Sequence, residues 1–316
     1  MISVKLPFDP TYGYTLESLL QVGCPEEPSD FVEFWEARYR RALSVDPSPE
    51  LSRSKDDHPD FDVYAIRHRS TDDFVIGGWL VRPKRGPVRR GLVVGHGYGG
   101  REGPDFDLPV REAAVLFPCF RGLSASRDPR LPDDPARHVL HGIDQRDHYI
   151  LGSCVEDLWL AVSVLLHIFP QVEGHIAYSG ISFGGGIGAL ALPWEPRIQI
   201  AHLNVPTFGH QPLRLTLPTL GSGEAVRRYE RRHGSVLETL RYYDAACAAR
   251  HIRIPVHVAA ALSDPFVAPP GQFAIYNALP GPKRLFVLKA GHSDYPERVE
   301  QERALLEELS AFFEPL

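Results

Sequence analysis

Gly180-Ile-Ser182-Phe-Gly184 is the stretch that most narrows what this chain can fold into. The apolar run His175-Ile-Ala-Tyr178 precedes it and reads as a short buried strand. Ile187-Gly-Ala-Leu-Ala-Leu192 follows and reads as the start of a helix of small residues. Strand, sharp turn with a serine at its apex, then helix is the setting of a nucleophile elbow. The glycines have a steric reason. A serine on so tight a turn sits in strained backbone geometry, and a side chain at Gly180 or Gly184 would meet the neighbouring strand or helix. The turn lifts the Ser182 hydroxyl clear of the sheet, and the positive end of the next helix faces any anion formed there. Taken alone, the same residues also suit an ordinary glycine-rich turn, so the rest of the chain has to supply the partners.

Apolar runs recur on both sides of the elbow. Residues 62–68 and 74–82 have strand composition, with Ser70-Thr-Asp-Asp73 as the hairpin turn between them. Residues 91–95 and 112–117 are short apolar runs of the kind buried in a parallel sheet, and 198–204, 255–261 and 284–288 continue the series. Helices are expected over 29–43, 154–167, 272–278 and 295–313. Ser29 or Asp30 can cap the first, whose Phe31, Phe34, Trp35 and Tyr39 share one face. The last should turn Val299, Leu305, Leu306, Leu309 and Phe313 inward. Strands alternating with helices predict an α/β fold with a doubly wound, mainly parallel sheet. One domain over 1–316 is expected, with 1–60 as an N-terminal arm, helix and proline-rich linker. Residues 120–152 read as a long polar connection carrying several histidines, and 212–251 as a helical, cap-like insertion without a strand.

Charge and composition exclude several classes. A net charge of −6 gives no reason to expect a nucleic-acid partner, and Arg227-Arg228 and Arg231-Arg232 alternate with Glu224 and Glu230 as on a solvated helix face. The first residues, Met1 to Pro7, lack the apolar core of a signal peptide, and no run approaches the roughly 18 apolar residues of a membrane span. The four cysteines, Cys24, Cys119, Cys154 and Cys247, form no C-x-x-C pair and read as free, mostly buried thiols of a reducing compartment. A cytoplasmic protein without membrane contact is expected.

An attacking serine needs a base, and the base needs an orienting acid. Downstream of Ser182, Asp264 follows the expected strand 255–261 and His292 follows 284–288. Both stand at carboxyl ends of successive strands, where ligand crevices form in open α/β sheets. The order serine, acid, histidine is that of an α/β-hydrolase. Asp294 is a rival acid, but two residues past His292 it is badly placed to orient that imidazole. A developing oxyanion needs donors. Val94-Gly-His-Gly-Tyr98-Gly-Gly100 follows an early strand, where this fold supplies its second oxyanion amide, so the backbone N–H groups of Tyr98 and Phe183 are the expected pair. The same glycines do not make a phosphate loop, since no Gly-Lys-Ser/Thr follows. His96 reads as structural.

These residues resemble the acetyl xylan esterase and cephalosporin C deacetylase group, carbohydrate esterase family seven. The likeness rests on Gly95-His-Gly-Tyr-Gly, Phe120-Arg-Gly, Gly180-Ile-Ser-Phe-Gly-Gly-Gly, Thr239-Leu-Arg-Tyr-Tyr-Asp244, Leu262-Ser-Asp-Pro-Phe-Val-Ala-Pro-Pro270, Phe273-Ala-Ile-Tyr-Asn277 and Gly281-Pro-Lys283. The resemblance implies Ser182, Asp264 and His292 as a catalytic triad and the Tyr98 and Phe183 amides as an oxyanion hole. It also implies Tyr98 and Pro206 near the acyl pocket. It further implies hydrolysis of small acetyl esters on sugars and cephalosporins without metal or cofactor, by a cytoplasmic homo-oligomer, hexameric in many members. The chain departs from the family at Leu123 and Phe183, each in place of a glutamine, and at Ser293, in place of an acid. None of these removes a triad side chain, so a divergent serine esterase is expected. A catalytically silent scaffold that binds a ligand or partner, and a hydrolase of amides or lactones, are the alternatives.

Overall fold

Nine strands lie in one sheet in the order β1-β2-β3-β5-β4-β6-β7-β8-β9 in the computed structural model, which describes residues 6–54, 58–234 and 236–316. The first five residues of the expected arm, residues 55–57 of the expected linker and Ser235 of the expected excursion lie outside the described residues. The strands are β1 Glu50–Arg53, β2 Phe61–Arg69, β3 Val75–Pro83, β4 Arg90–Gly95, β5 Ala113–Pro118, β6 Ile176–Ile181, β7 Ile198–Asn204, β8 Val256–Ala261 and β9 Lys283–Leu288. From β5 to β9 every neighbouring pair is parallel, and β1, β2 and β3 extend the other edge antiparallel. This is the mainly parallel α/β-hydrolase arrangement. β5 and β8 are buried along their whole length, as expected of strands covered on both faces.

The hairpin β2–β3 closes from Phe61 opposite Pro83 to Arg69 opposite Val75, and its turn contains a short 3-10 segment, Thr71–Asp73. β1 occupies part of what the sequence marks as linker. All four of its residues are exposed, so it carries no apolar alternation from which a strand could be read.

The first long helix, Phe31–Leu43, buries Phe31, Phe34 and Trp35. Asp30 does not cap it. Its carboxylate instead accepts from the Tyr242 hydroxyl at 2.5 Å and from Arg146 at 2.8 Å. The central helix runs from Ile150 to Ile168. Contrary to the sequence expectation, it is long and apolar enough to cross a membrane, yet 78% of its apolar window is buried inside the protein. Its Glu156 and Asp157 are fully buried and paired with Arg38 and Arg121. The C-terminal helix, Arg298–Phe313, turns Leu305, Leu309, Phe312 and Phe313 to the core. Val299 is 77% exposed, not inward. Val299 stands in the first turn of the helix, ahead of the packed stretch that begins at Leu305.

The 120–152 connection is less polar than its composition suggests. Phe120, Arg121, Leu123, His138, Val139 and Tyr149 are all buried. The excursion forms four helices, Gln211–Thr216, Gly221–His233, Leu237–Leu240 and Ala245–Ala249, and no strand among its described residues. Its longest helix packs against the short helix Pro135–His138, and its last against the helix that follows Ser182. The cysteines are free, but Cys24 and Cys247, 223 residues apart in sequence, bring their Sγ atoms to 3.6 Å.

Candidate active site

β6 ends at Ile181 and the elbow helix, Phe183–Ala191, begins two residues later. Ser182 between them sits at φ 54°, ψ −109°, a conformation L-residues avoid. Packing enforces it. A Cβ on Gly184 would lie 2.5 Å from the backbone of Gly95 at the end of β4, and one on Gly180 would lie 2.5 Å from Gly184 O. Strand and helix therefore approach backbone to backbone. Three main-chain bonds fix the turn to its neighbours: Ser182 N–H donates to Asn204 O at 2.8 Å, Gly184 N–H to His96 O at 2.9 Å, and Thr207 N–H to Ser182 O at 3.2 Å.

The structure brings Ser182, His292 and Asp264 together across three strand ends. His292 Nδ1–H donates to Asp264 Oδ2 at 2.7 Å, which leaves Nε2 to accept the Ser182 hydroxyl at 2.9 Å. Asp264 is fully buried and held from several directions. Its Oδ1 accepts the N–H groups of Phe266 at 2.9 Å and Val267 at 3.0 Å. Its Oδ2 also accepts from Gln272 Nε2 at 3.1 Å. Gln272 is itself fully buried, donates to Val267 O at 2.6 Å, and accepts from Ala261 N–H at 2.8 Å. The N-terminal arm adds a further tie, since Asp264 N–H donates to Pro10 O at 3.0 Å. Neither Gln272 nor Pro10 stands out in the sequence. A glutamine on an apolar helix and a proline in an irregular arm carry no local signal of a role. Asp294 is not part of the cluster. Its side chain is 80% exposed and pairs with Arg298 at 2.6 Å.

The N–H groups of Tyr98 and Phe183 have no acceptor among the described residues, so both are free to donate to a ligand. His96 is fully engaged with the main chain. Its Nδ1 bonds Gly97 O at 2.7 Å, and its Nε2 accepts Phe120 N–H at 3.0 Å. Burial pushes it down to about 4, which keeps it neutral. The Tyr98 ring lies on Phe183, with centroids 4.1 Å apart, and its hydroxyl bonds His138 Nδ1 at 2.9 Å. His138 Nε2–H donates to Arg121 O at 2.9 Å, so Nδ1 is the acceptor and Tyr98 the donor. Burial pushes His138 down to about 4 as well. No sequence feature pointed to His138.

Phe183 and Leu123 are both buried in the same apolar cluster. Phe120, Tyr98, His138 and Phe208 surround the Phe183 ring. Aromatic packing therefore occupies a place where a glutamine would need polar partners. Pro206 is buried and lies under the elbow helix, 3.0 Å from where a Cβ on Gly185 would stand. Among the described residues no three His, Cys, Asp or Glu side chains form a group that could hold a metal ion. The arrangement presents a hydroxyl whose proton can pass to the His292 imidazole, a buried carboxylate behind it, and two free amides beside it. That combination suits nucleophilic attack on a carbonyl.

Comparison with known proteins points the same way. The family described as Acetyl xylan esterase (AXE1) matches residues 11–307. The chain is 21% identical over 278 residues to acetyl esterase Axe7A of Xylanibacter ruminicola, covering 83% of this chain and 62% of that protein's length. Its fold is similar to that of an acetyl xylan esterase from Paenibacillus sp. R4, with TM-score 0.80 and 24% identity over 93% of this chain and 99% of the other. It is similar too to acetyl xylan esterase 1 from Thermoanaerobacterium sp. JW/SL YS485, with TM-score 0.80 and 23% identity over 96% and 99% of the two chains.

Proposed function

The chain belongs to the acetyl xylan esterase family of carboxylic-ester hydrolases, and from that premise we propose that it removes small acyl groups from small esters through a Ser182–His292–Asp264 triad. One observation carries the reading. The strained Ser182 lies 2.9 Å from His292 Nε2, whose other nitrogen is held 2.7 Å from the buried Asp264. His292 takes the Ser182 proton as Oγ attacks the ester carbonyl. The oxyanion receives the Tyr98 and Phe183 N–H groups, which a ground-state carbonyl meets less well. The imidazolium, stabilised by Asp264, then protonates the leaving alcohol. Water repeats the sequence on the acyl-enzyme and frees the acid. No step requires the missing family glutamines, because the donor at position 183 is a backbone N–H. The reading includes a homo-oligomer, which light scattering of the purified protein would test, and a cytoplasmic location, which cell fractionation would test.

The test is hydrolysis of 4-nitrophenyl acetate, butyrate and octanoate by wild type and Ser182→Ala, with fluorophosphonate labelling in parallel. Acetate preferred, activity abolished in the variant and an adduct on Ser182 is the expected outcome. A folded wild type with neither turnover nor adduct would favour the silent scaffold, and faster turnover of amides or lactones than of acetyl esters would move the activity to those bonds.

A further inference from the structure

Arg214 lies one turn into the helix Gln211–Thr216, just past a strained loop. Val205, Phe208 and His210 in that loop all take positive φ, at 40°, 71° and 54°. The loop is pressed against the elbow helix, since a Cβ on Gly186 would meet Thr207 O at 2.5 Å and the Phe208 ring at 2.6 Å. The Arg214 guanidinium sits over the Phe208 ring, 5.4 Å from its centroid, and donates to Gln211 Oε1 at 3.1 Å.

What it lacks is an anion. Arg38, Arg121 and Arg197 each hold an ion pair with a fully buried carboxylate, those of Glu156, Asp157 and Glu195. Among the described residues no carboxylate comes within ion-pair distance of Arg214. Asp244 acts on it from farther off, but that carboxylate is already taken up by the N–H groups of His210, Gln211, Ala246 and Cys247. Burial accordingly holds the guanidinium below its ordinary value. A second polar group in its electrostatic neighbourhood is also unmet. The hydroxyl of the fully buried Tyr149 has no hydrogen-bond partner. Arg214 is half-buried and bonds no carboxylate among the described residues, so its charge is only partly screened by water. A charge kept in this state is suited to an anion that arrives from outside.

The place where it would arrive is a narrow crevice lined by Thr207, Phe208, Leu213, Arg214, Phe266 and Val267. Phe266 stands 5.7 Å from the His292 ring, and Phe208 stands 5.9 Å from Phe183, between ring centroids. Arg214 thus shares its crevice with one ring that neighbours the base and another that neighbours the residue after the nucleophile. We propose that Arg214 selects esters bearing a carboxylate, so that the substrate class includes anionic small esters and not only neutral acylated sugars. A guanidinium matches a carboxylate bidentately, which a lysine ammonium does not. This inference rests on the serine-esterase reading.

Two substrate pairs test it and separate the two places the carboxylate can occupy. Mono-4-nitrophenyl succinate against 4-nitrophenyl butyrate puts the charge on the acyl side. Acetylated 4-hydroxybenzoate against acetylated 4-hydroxybenzamide puts it on the alcohol side. All rates are corrected for uncatalysed hydrolysis. The expected result is that wild type prefers the anionic member of one pair by about tenfold or more in kcat/KM, mostly through KM. In Arg214→Gln that anionic-to-neutral ratio should fall by about tenfold, with partial recovery in Arg214→Lys. Equal or better use of the neutral member in both pairs by wild type overturns the proposal without needing a variant. So does a loss in Arg214→Gln shared equally by anionic and neutral esters, which would assign Arg214 to the transition state in general. Both of those outcomes leave the esterase reading intact. Absence of turnover together with absence of a phosphonate adduct on Ser182 removes that reading, and this inference with it.

Discussion

Replacing Gln272 by leucine should damage both stability and turnover, because this one side chain serves two purposes. Leucine has similar volume and no polar atoms, so the change removes hydrogen bonds without opening a large cavity. Three contacts disappear: Nε2 to Asp264 Oδ2, Nε2 to Val267 O, and Ala261 N–H to Oε1. Val267 O and Ala261 N–H are then left without these partners next to a fully buried side chain. At about 1–3 kcal/mol for each unmet buried group, the variant should lose about 2–6 kcal/mol. That is a large part of the ~5–15 kcal/mol that holds an ordinary domain folded. Asp264 fares better, since it retains Phe266 N–H, Val267 N–H and His292. Losing one bond to a charged acceptor corresponds to about 1.5–3 kcal/mol, so kcat should fall by about ten- to a hundredfold if the acid loosens in proportion. Urea unfolding followed by circular dichroism measures the first effect, and 4-nitrophenyl acetate turnover well below the unfolding midpoint measures the second. Gln272→Glu sharpens the test. It sets a second carboxyl against Asp264 Oδ2, so the pair should hold a proton and lose function as pH rises. A leucine variant within about 1 kcal/mol of wild type and equally active would refute the reasoning, because both the unmet-group penalty and the clamp on Asp264 would then be absent.

Asp264→Asn should keep the fold and lower kcat by about 10⁴-fold, since an amide stabilises the wrong imidazole tautomer; turnover above a tenth of wild type would contradict Asp264 as the orienting acid. Gly184→Ala should cost about 3 kcal/mol or more, because its Cβ would meet main chain that cannot step aside, whereas Gly103→Ala, with nothing within 4 Å, should leave the unfolding midpoint near wild type. Stability should fall as pH drops from about 6.5 toward 4. Unfolded imidazoles bind a proton near pH ~6.5, while the buried His96 and His138 bind one only near about 4, so in between the unfolded state holds more protons. The loss is on the order of 3 kcal/mol apiece at the acid end of that window, and a urea midpoint that stays level from pH 6.5 to 4.5 would count against it.

Much of this architecture is legible in the chain because its signals are local. The glycines around Ser182 state a steric demand that only a strand-turn-helix crossing makes. Apolar runs of strand length, separated by helices, imply a parallel sheet. A parallel sheet in turn puts residues just past each strand on one edge, so Asp264 and His292 can be named beside Ser182 before any contact is known. Period and turn chemistry act over a few residues, and order along the chain is preserved by the topology. Where local signals are weak or mixed, the same reasoning slips. β1 has no buried face to announce it, Val299 lies in the first helical turn ahead of the packed stretch, and Asp30 finds better partners than the helix end it precedes.

Other features exist only because distant segments meet. Gln272 matters because its helix returns across the end of β8 to Asp264. Pro10 matters because the arm folds back to the same loop. His138 becomes the acceptor for Tyr98 only when a connection that reads as polar is buried beneath the elbow. Arg214 is an ordinary arginine in the sequence; it gains meaning because, among the described residues, no carboxylate comes within ion-pair distance of it. Burial and pairing are properties of the space around a side chain, and that space is assembled from elements hundreds of residues apart. Local patterns along the chain are enough for the elbow, the sheet and the order of the acting residues, while packing between distant segments settles which polar groups end up satisfied, which are clamped, and which are left open to a ligand.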